Sequence, residues 1–80
     1  MRVKVRYFAS ISDRIGLDQE EVELPTGASL NALYKVLQGY HEALAEWRRV
    51  LLAVNGEYRD SSHVLEEGDF VAVFPSVSGG

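Results

Sequence analysis

From Arg2 to Phe8 the chain alternates, with Val3, Val5 and Tyr7 on one side and Arg2, Lys4 and Arg6 on the other. A period of two is that of a strand with one face buried. Glu20 to Leu24 alternates again, setting Val22 and Leu24 against Glu21 and Glu23. If these two strands pair antiparallel, a basic face meets an acidic one, and each such cross-strand pair adds about 0.2–1 kcal/mol. Between them, Ser10 to Gly16 reads as a short helical turn or loop.

Pro25-Thr26-Gly27 breaks the second strand. Ser29 is then an N-cap, and Leu30, Leu33, Tyr34 and Leu37 recur at the spacing of one helix face. Gly39 is expected to end this helix. His41 to Arg48 is expected to form a second, shorter helical piece around Leu44 and Trp47. Val50 to Val54 is an apolar, β-rich run, and Asn55-Gly56 follows it directly. Both central residues of a type I′ hairpin turn need positive φ, which this pair supplies, so Glu57 to Arg59 reads as a return strand. Glu66 to Asp69 is another turn. Phe70 to Phe74 is the last strand, with Phe70, Ala72 and Phe74 alternating against Val71 and Val73. Pro75 is expected to stop it, because proline has no N–H for the ladder. The pattern predicts an α+β fold: a mixed sheet of four or five strands with one main helix. One such helix covers only one face of the sheet.

Eighty residues make one domain with a modest core. Function is therefore expected at the surface or at a terminus. An apolar content of 46% argues against disorder. The absence of cysteine excludes a disulfide framework, a thiolate nucleophile and a cysteine metal site. No signal peptide and no stretch long enough to span a bilayer is seen, so a cytoplasmic protein with no membrane partner is expected. A net charge of −4 disfavours nucleic acid as a partner, since neutralising phosphates needs a basic surface.

Candidate chemistry is sparse. Asp60, Ser61, Ser62 and His63 supply the letters of a hydrolase triad, but adjacent side chains in a turn diverge, so a turn-forming role is the better reading. His41 and His63 have no partners at metal-ligand spacing and read as solvated surface residues. Glu20, Glu21 and Glu23 read as an exposed strand face rather than a paired-carboxylate site. No phosphate-binding glycine loop is present. The chain end is different: Gly79-Gly80 is either a frayed terminus or a tail whose carboxylate is the reacting group. Glycines without a Cβ let an extended tail enter a narrow enzyme cleft.

Longer stretches narrow the choice. Tyr7-Phe8-Ala9, Leu24-Pro25-x-Gly27-Ala28-Ser29, Leu52-Ala53-Val54-Asn55-Gly56, Leu65-Glu66-Glu67-Gly68-Asp69 and Phe74-Pro75-x-Val77-Ser78-Gly79-Gly80 together span most of the chain. They resemble the small, sulfur-carrying subunit of molybdopterin synthase (MoaD-type), within the MoaD/ThiS ubiquitin-like proteins. Two departures are visible, Ser76 for a common proline and Ser78 for a usual threonine, and neither touches the diglycine.

The resemblance implies a β-grasp domain over residues 1–74 and an extended tail over residues 75–80. It implies that an activating enzyme adenylates the Gly80 carboxylate with ATP and that sulfur replaces the adenylate, giving a thiocarboxylate. Gly79 and Gly80 would then enter the large synthase subunit and donate sulfur to a pterin precursor. A dithiolene needs two sulfurs and therefore two tails. The chain would not be catalytic alone and would bind no cofactor stably, and its partners would be the large subunit and the activating enzyme. Phe74, Pro75, Val77 and Ser78 are the expected contacts, with plain core as the other reading of Phe74. Alternatives are a carrier for thiamine or another thiolated product, a ubiquitin-like modifier joined to lysines, and an interaction domain with an accidental diglycine.

Overall fold

The computed structural model describes residues 1–45 and 50–76. In chain order they form β1 (Arg2–Tyr7), α1 (Ala9–Ile15), β2 (Gln19–Glu23), α2 (Leu30–Tyr40), α3 (Glu42–Ala45), β3 (Val50–Val54), β4 (Glu57–Tyr58) and β5 (Phe70–Pro75). The strands make one five-stranded sheet in the order β2-β1-β5-β3-β4. β1 and β5 run parallel at its centre, and the other neighbours are antiparallel. This is the mixed sheet that the alternation predicts.

The β1–β2 register sets Arg2 across from Glu23 and Lys4 across from Glu21, so the basic and acidic stripes do meet. Arg2 Nε lies 3.3 Å from Glu23 Oε1, both side chains being largely in water. The stripe therefore helps choose the register more than it stabilises the fold. On the other face, Val3, Val5, Tyr7, Val22, Val71 and Val73 form the core with Leu30, Leu33 and Leu37 of α2. Ile11 of α1, Leu44 of α3 and the loop residue Leu65 close its ends. Ser29 caps α2, its hydroxyl accepting from Ala32 N–H at 3.2 Å.

Asn55 and Gly56 take φ of 51° and 88°, as a type I′ turn requires. The Asn55 side chain also ties the hairpin to β5: its amide donates to Asp69 Oδ1 and its oxygen accepts from Phe70 N–H, each at 3.0 Å.

Two boundaries differ from expectation. Gly39 does not end α2, which continues to Tyr40 and closes with His41 N–H donating to Leu37 C=O at 2.9 Å. A glycine ends a helix by adopting positive φ, and Gly39 does not adopt it. Pro75 does not stop β5 but is its last residue, across from Val50. The end of a strand tolerates the missing N–H. The segment before β2 is a seven-residue helix, ended by Gly16 at φ 80°. Trp47 and the end of the second helical piece lie outside the described residues. No helix among those described is long and apolar enough to cross a membrane.

Candidate functional site

Because β5 alternates, sending Val71 and Val73 beneath α2 turns Phe70, Ala72 and Phe74 to the opposite, open face. The register brings Leu51 opposite Phe74, Ala53 opposite Ala72, and Tyr58 opposite Ala53. Phe74 is half-buried, but by neighbours on this open face rather than by the core. Its ring stacks on Phe8 with centroids 4.5 Å apart and planes 17° from parallel. Tyr58 meets it edge-on at 6.4 Å, and the Arg6 guanidinium sits 5.2 Å above the Phe8 ring. Leu51 and Tyr58 remain 40% and 68% exposed. The result is an apolar patch, with one cation at its rim, at the end of β5.

Phe8 reaches this patch by a local bend. Its N–H donates to Val73 C=O at 3.1 Å, adding one rung beyond β1. Ala9 then takes φ 53° and starts α1. A left-handed conformation costs a non-glycine residue about 1–2 kcal/mol. The rest of the fold holds that bend, and the bend aims Phe8 over Phe74.

Of the sequence-predicted site residues, Phe74 lies within the patch, while Pro75, the last residue of β5 and across from Val50, has the parity of the covered face. Val77, Ser78, Gly79 and Gly80 lie outside the described residues. Phe8, Leu51 and Tyr58 were not anticipated as part of the surface. Two signals point to them: the consecutive aromatics Tyr7 and Phe8 cannot both face the core of an alternating strand, and Leu51 has the wrong parity for the core side of β3.

A second polar cluster lies on the core side. Glu20 Oε2 accepts from the Tyr7 hydroxyl at 2.5 Å and stands 2.6 Å from His41 Nε2. The His41 ring also meets Tyr7 edge-on at 5.6 Å. The expectation of a solvated His41 is therefore wrong: the Glu20–His41 pair is mostly buried, with side chains 22% and 18% exposed. Burial first, and then the Glu20 carboxylate, push the Tyr7 pKa well above its usual 10. Glu21 and Glu23 are exposed as expected. Burial also raises the Tyr34 pKa, and its buried hydroxyl finds no partner among the described residues.

Asp60 to His63 form a turn. Asp60 Oδ1 accepts from Ser62 N–H at 2.9 Å and from the Ser62 hydroxyl, and His63 N–H donates to Asp60 C=O at 3.1 Å. The two bonds to the carboxylate, the hydroxyl's foremost, hold the Asp60 carboxyl below the usual carboxylate range. The serine points at the aspartate rather than at a histidine, so the arrangement is not a nucleophilic triad. No group of three metal-ligating side chains is found among the described residues.

A mixed sheet in this order, with its main helix on one face, defines a β-grasp, ubiquitin-like protein. Within that class the chain belongs to the ThiS family, which it matches over residues 5–80. It is similar to the human molybdopterin synthase sulfur carrier subunit, at 35% identity over 99% of this chain and 94% of that protein. Among solved structures, a putative molybdopterin converting factor subunit 1 from Pyrococcus furiosus is 38% identical. The two superpose with a TM-score of 0.88, covering 96% of this chain and 99% of that one. A chain from the complex of subunits 1 and 2 of the molybdopterin-converting factor of Helicobacter pylori matches over the full length of both, with 27% identity and a TM-score of 0.71.

Proposed function

We infer that this chain is a sulfur carrier subunit of molybdopterin synthase and that the carboxylate of Gly80 holds the sulfur. One observation carries the reading: the chain matches, end to end, proteins named for that role. The family match also runs through residue 80.

The chemistry follows from the weakness of a carboxylate as an electrophile. An activating enzyme joins a Gly80 carboxylate oxygen to the α-phosphorus of ATP, and pyrophosphate leaves. A sulfur nucleophile then adds to the acyl carbon and AMP leaves, so one carboxylate oxygen has been exchanged for sulfur. ATP is a substrate of that enzyme rather than a cofactor of this chain. The thiocarboxylate tail next enters the large synthase subunit, where sulfur passes to the pterin precursor.

The open face supports a docking role for the patch at the end of β5. The H. pylori structure is a complex of subunits 1 and 2 of its molybdopterin-converting factor. Phe74, Phe8, Leu51 and Tyr58 offer a partner a compact, mainly aromatic surface, and aromatic residues are enriched at protein interfaces. In the sequence, Val77, Ser78 and the diglycine follow Pro75 within five residues.

The experiment is ATP-dependent conversion of the carrier to its thiocarboxylate by the activating enzyme, read as one oxygen-to-sulfur exchange in the mass of the C-terminal peptide. Removing Gly80 should abolish sulfur transfer and leave the fold unchanged. One residue added after Gly80 should do the same, since it displaces the carboxylate by about 3.3–3.6 Å. An extended chain that is thiolated at its new end and donates sulfur at the normal rate would remove Gly80 from the mechanism.

A further inference from the structure

The sheet ends in two edge strands. β4 is only Glu57–Tyr58, and so short an edge offers little to pair with. β2 runs over Gln19–Glu23, and β1 is its one strand neighbour.

The β1–β2 hydrogen bonds fix which backbone groups of β2 are already used. Met1 and Leu24 exchange both bonds, at 2.7 and 2.8 Å, and Tyr7 N–H donates to Asp18 C=O at 2.7 Å. Bonded residues alternate along an antiparallel pair. With Val3 opposite Val22 and Val5 opposite Glu20, the residues of β2 that bond to β1 are Glu20 and Val22. The N–H and C=O groups of Gln19, Glu21 and Glu23 therefore point outward, and among the described residues nothing pairs with them. Three consecutive outward rungs make a ready template for another strand.

The side chains select what can use it. Gln19, Glu21 and Glu23 are exposed on the open face. A second copy pairing antiparallel about Glu21 would oppose Glu21 to Glu21, and like charges in that position are destabilising. Arg2 approaches one oxygen of Glu23 at 3.3 Å, but that carboxylate is still 76% exposed. Glu20, on the other face, is taken by Tyr7 and His41. Cations are therefore recognised on the open face alone, at every second position of an incoming strand.

We propose that the outer edge of β2 accepts an added strand from a protein partner: an extended segment with lysine or arginine at alternate positions. Its backbone pairs with Gln19, Glu21 and Glu23, and its cations lie beside Glu21 and Glu23. β1 stands between β2 and β5, so such a strand leaves the patch around Phe74 uncovered. The protein can then be held at one edge while its C-terminal end engages something else.

The probe is a capped heptapeptide alternating threonine and lysine, titrated into the full chain at low salt and followed by amide shifts and hydrogen exchange. Shifts should centre on Gln19 to Glu23, and the amides of Gln19, Glu21 and Glu23 should gain protection. A peptide of the same sequence with every amide N-methylated should lose binding, because it keeps the charge but has no N–H left for the ladder. Glu21→Gln and Glu23→Gln should each weaken binding by up to about fivefold, and Glu21→Lys with Glu23→Lys should remove it. Equal binding by the N-methylated peptide would reduce the effect to unspecific charge attraction and overturn the proposal. So would shifts centred on Phe70, Phe74 and Tyr58, or protection of the three amides in the chain alone through self-association.

Discussion

Val3, Val5, Val71 and Val73 are closed off beneath α2, while their sequence neighbours Arg2, Lys4, Phe70 and Phe74 look out from the same strands on the other side. The two faces are built from one alternation and do different work. The covered face is largely aliphatic, with the Tyr7–Glu20–His41 cluster as its polar exception. The open face is graded across the sheet: acidic on β2, basic on β1, then apolar on β5, β3 and β4. A small protein whose core needs only one side of its sheet has the whole other side free for contacts. Mutations on the two faces should accordingly separate stability from recognition.

The sharpest separation comes from Leu33. It is 1% exposed and packs into the core from the middle of α2. Leu33→Ala should cost about 2–5 kcal/mol in urea unfolding, as buried leucine truncations do. The variant that remains folded should still accept sulfur and bind its partner, since nothing on the open face has changed. A loss near zero would break the assignment of the two faces.

Tyr7 tests the polar exception on the covered face. Tyr7→Phe keeps the ring and removes the hydroxyl that donates to Glu20, a bond to a charged acceptor worth about 1.5–3 kcal/mol. The pH dependence has a definite sign. Tyr7's pKa is raised in the folded chain, so above about pH 10 the unfolded chain gives up a proton that the folded chain keeps. Stability is therefore full below the ordinary tyrosine value and falls as pH rises beyond it. Tyr7→Phe should flatten this alkaline fall, and Tyr34, also raised by burial, should account for part of what is left. Urea midpoints measured on both sides of that pH check the difference.

Most of the covered face was legible because it depends on local periodicity. Val3, Val5 and Tyr7 in β1, and Leu30, Leu33 and Leu37 in α2, announce their faces by spacing alone. The Asn55-Gly56 turn was legible for the same reason, since its residue types fit a backbone conformation that few others do. What escaped depends on residues far apart in the chain. Glu20 and His41 are 21 positions apart and meet only after β2 and α2 have packed. Phe8 joins Phe74 only because β1 and β5 run parallel side by side. Gly39 shows the opposite case: glycine permits a helix end but does not impose one, and α2 runs through it. Val77 to Gly80 lie outside the described residues, and the reading of the diglycine rests on its residue types and on the stretches around it.

The smallest effect on stability belongs to Phe74, and it sharpens the contrast most. Its ring lies on the open face, and its main aromatic partner, Phe8, lies there too. Phe74→Ala loses one stacked pair, about 0.5–1.5 kcal/mol beyond the area involved, and opens no cavity in the core. Unfolding should therefore shift far less than in Leu33→Ala. Recognition should respond the other way. If the patch docks the large synthase subunit, Phe74 sits near its centre, flanked by Phe8, Leu51 and Tyr58, and truncating such a residue commonly costs binding at least about 2 kcal/mol, or roughly thirtyfold. Co-purification and titration of the folded variant with the large subunit measure this directly. Leu33→Ala, stable enough to assay, supplies the control in which stability falls and affinity does not. Full affinity in Phe74→Ala would leave the open face without its proposed role, even though the core assignment would stand.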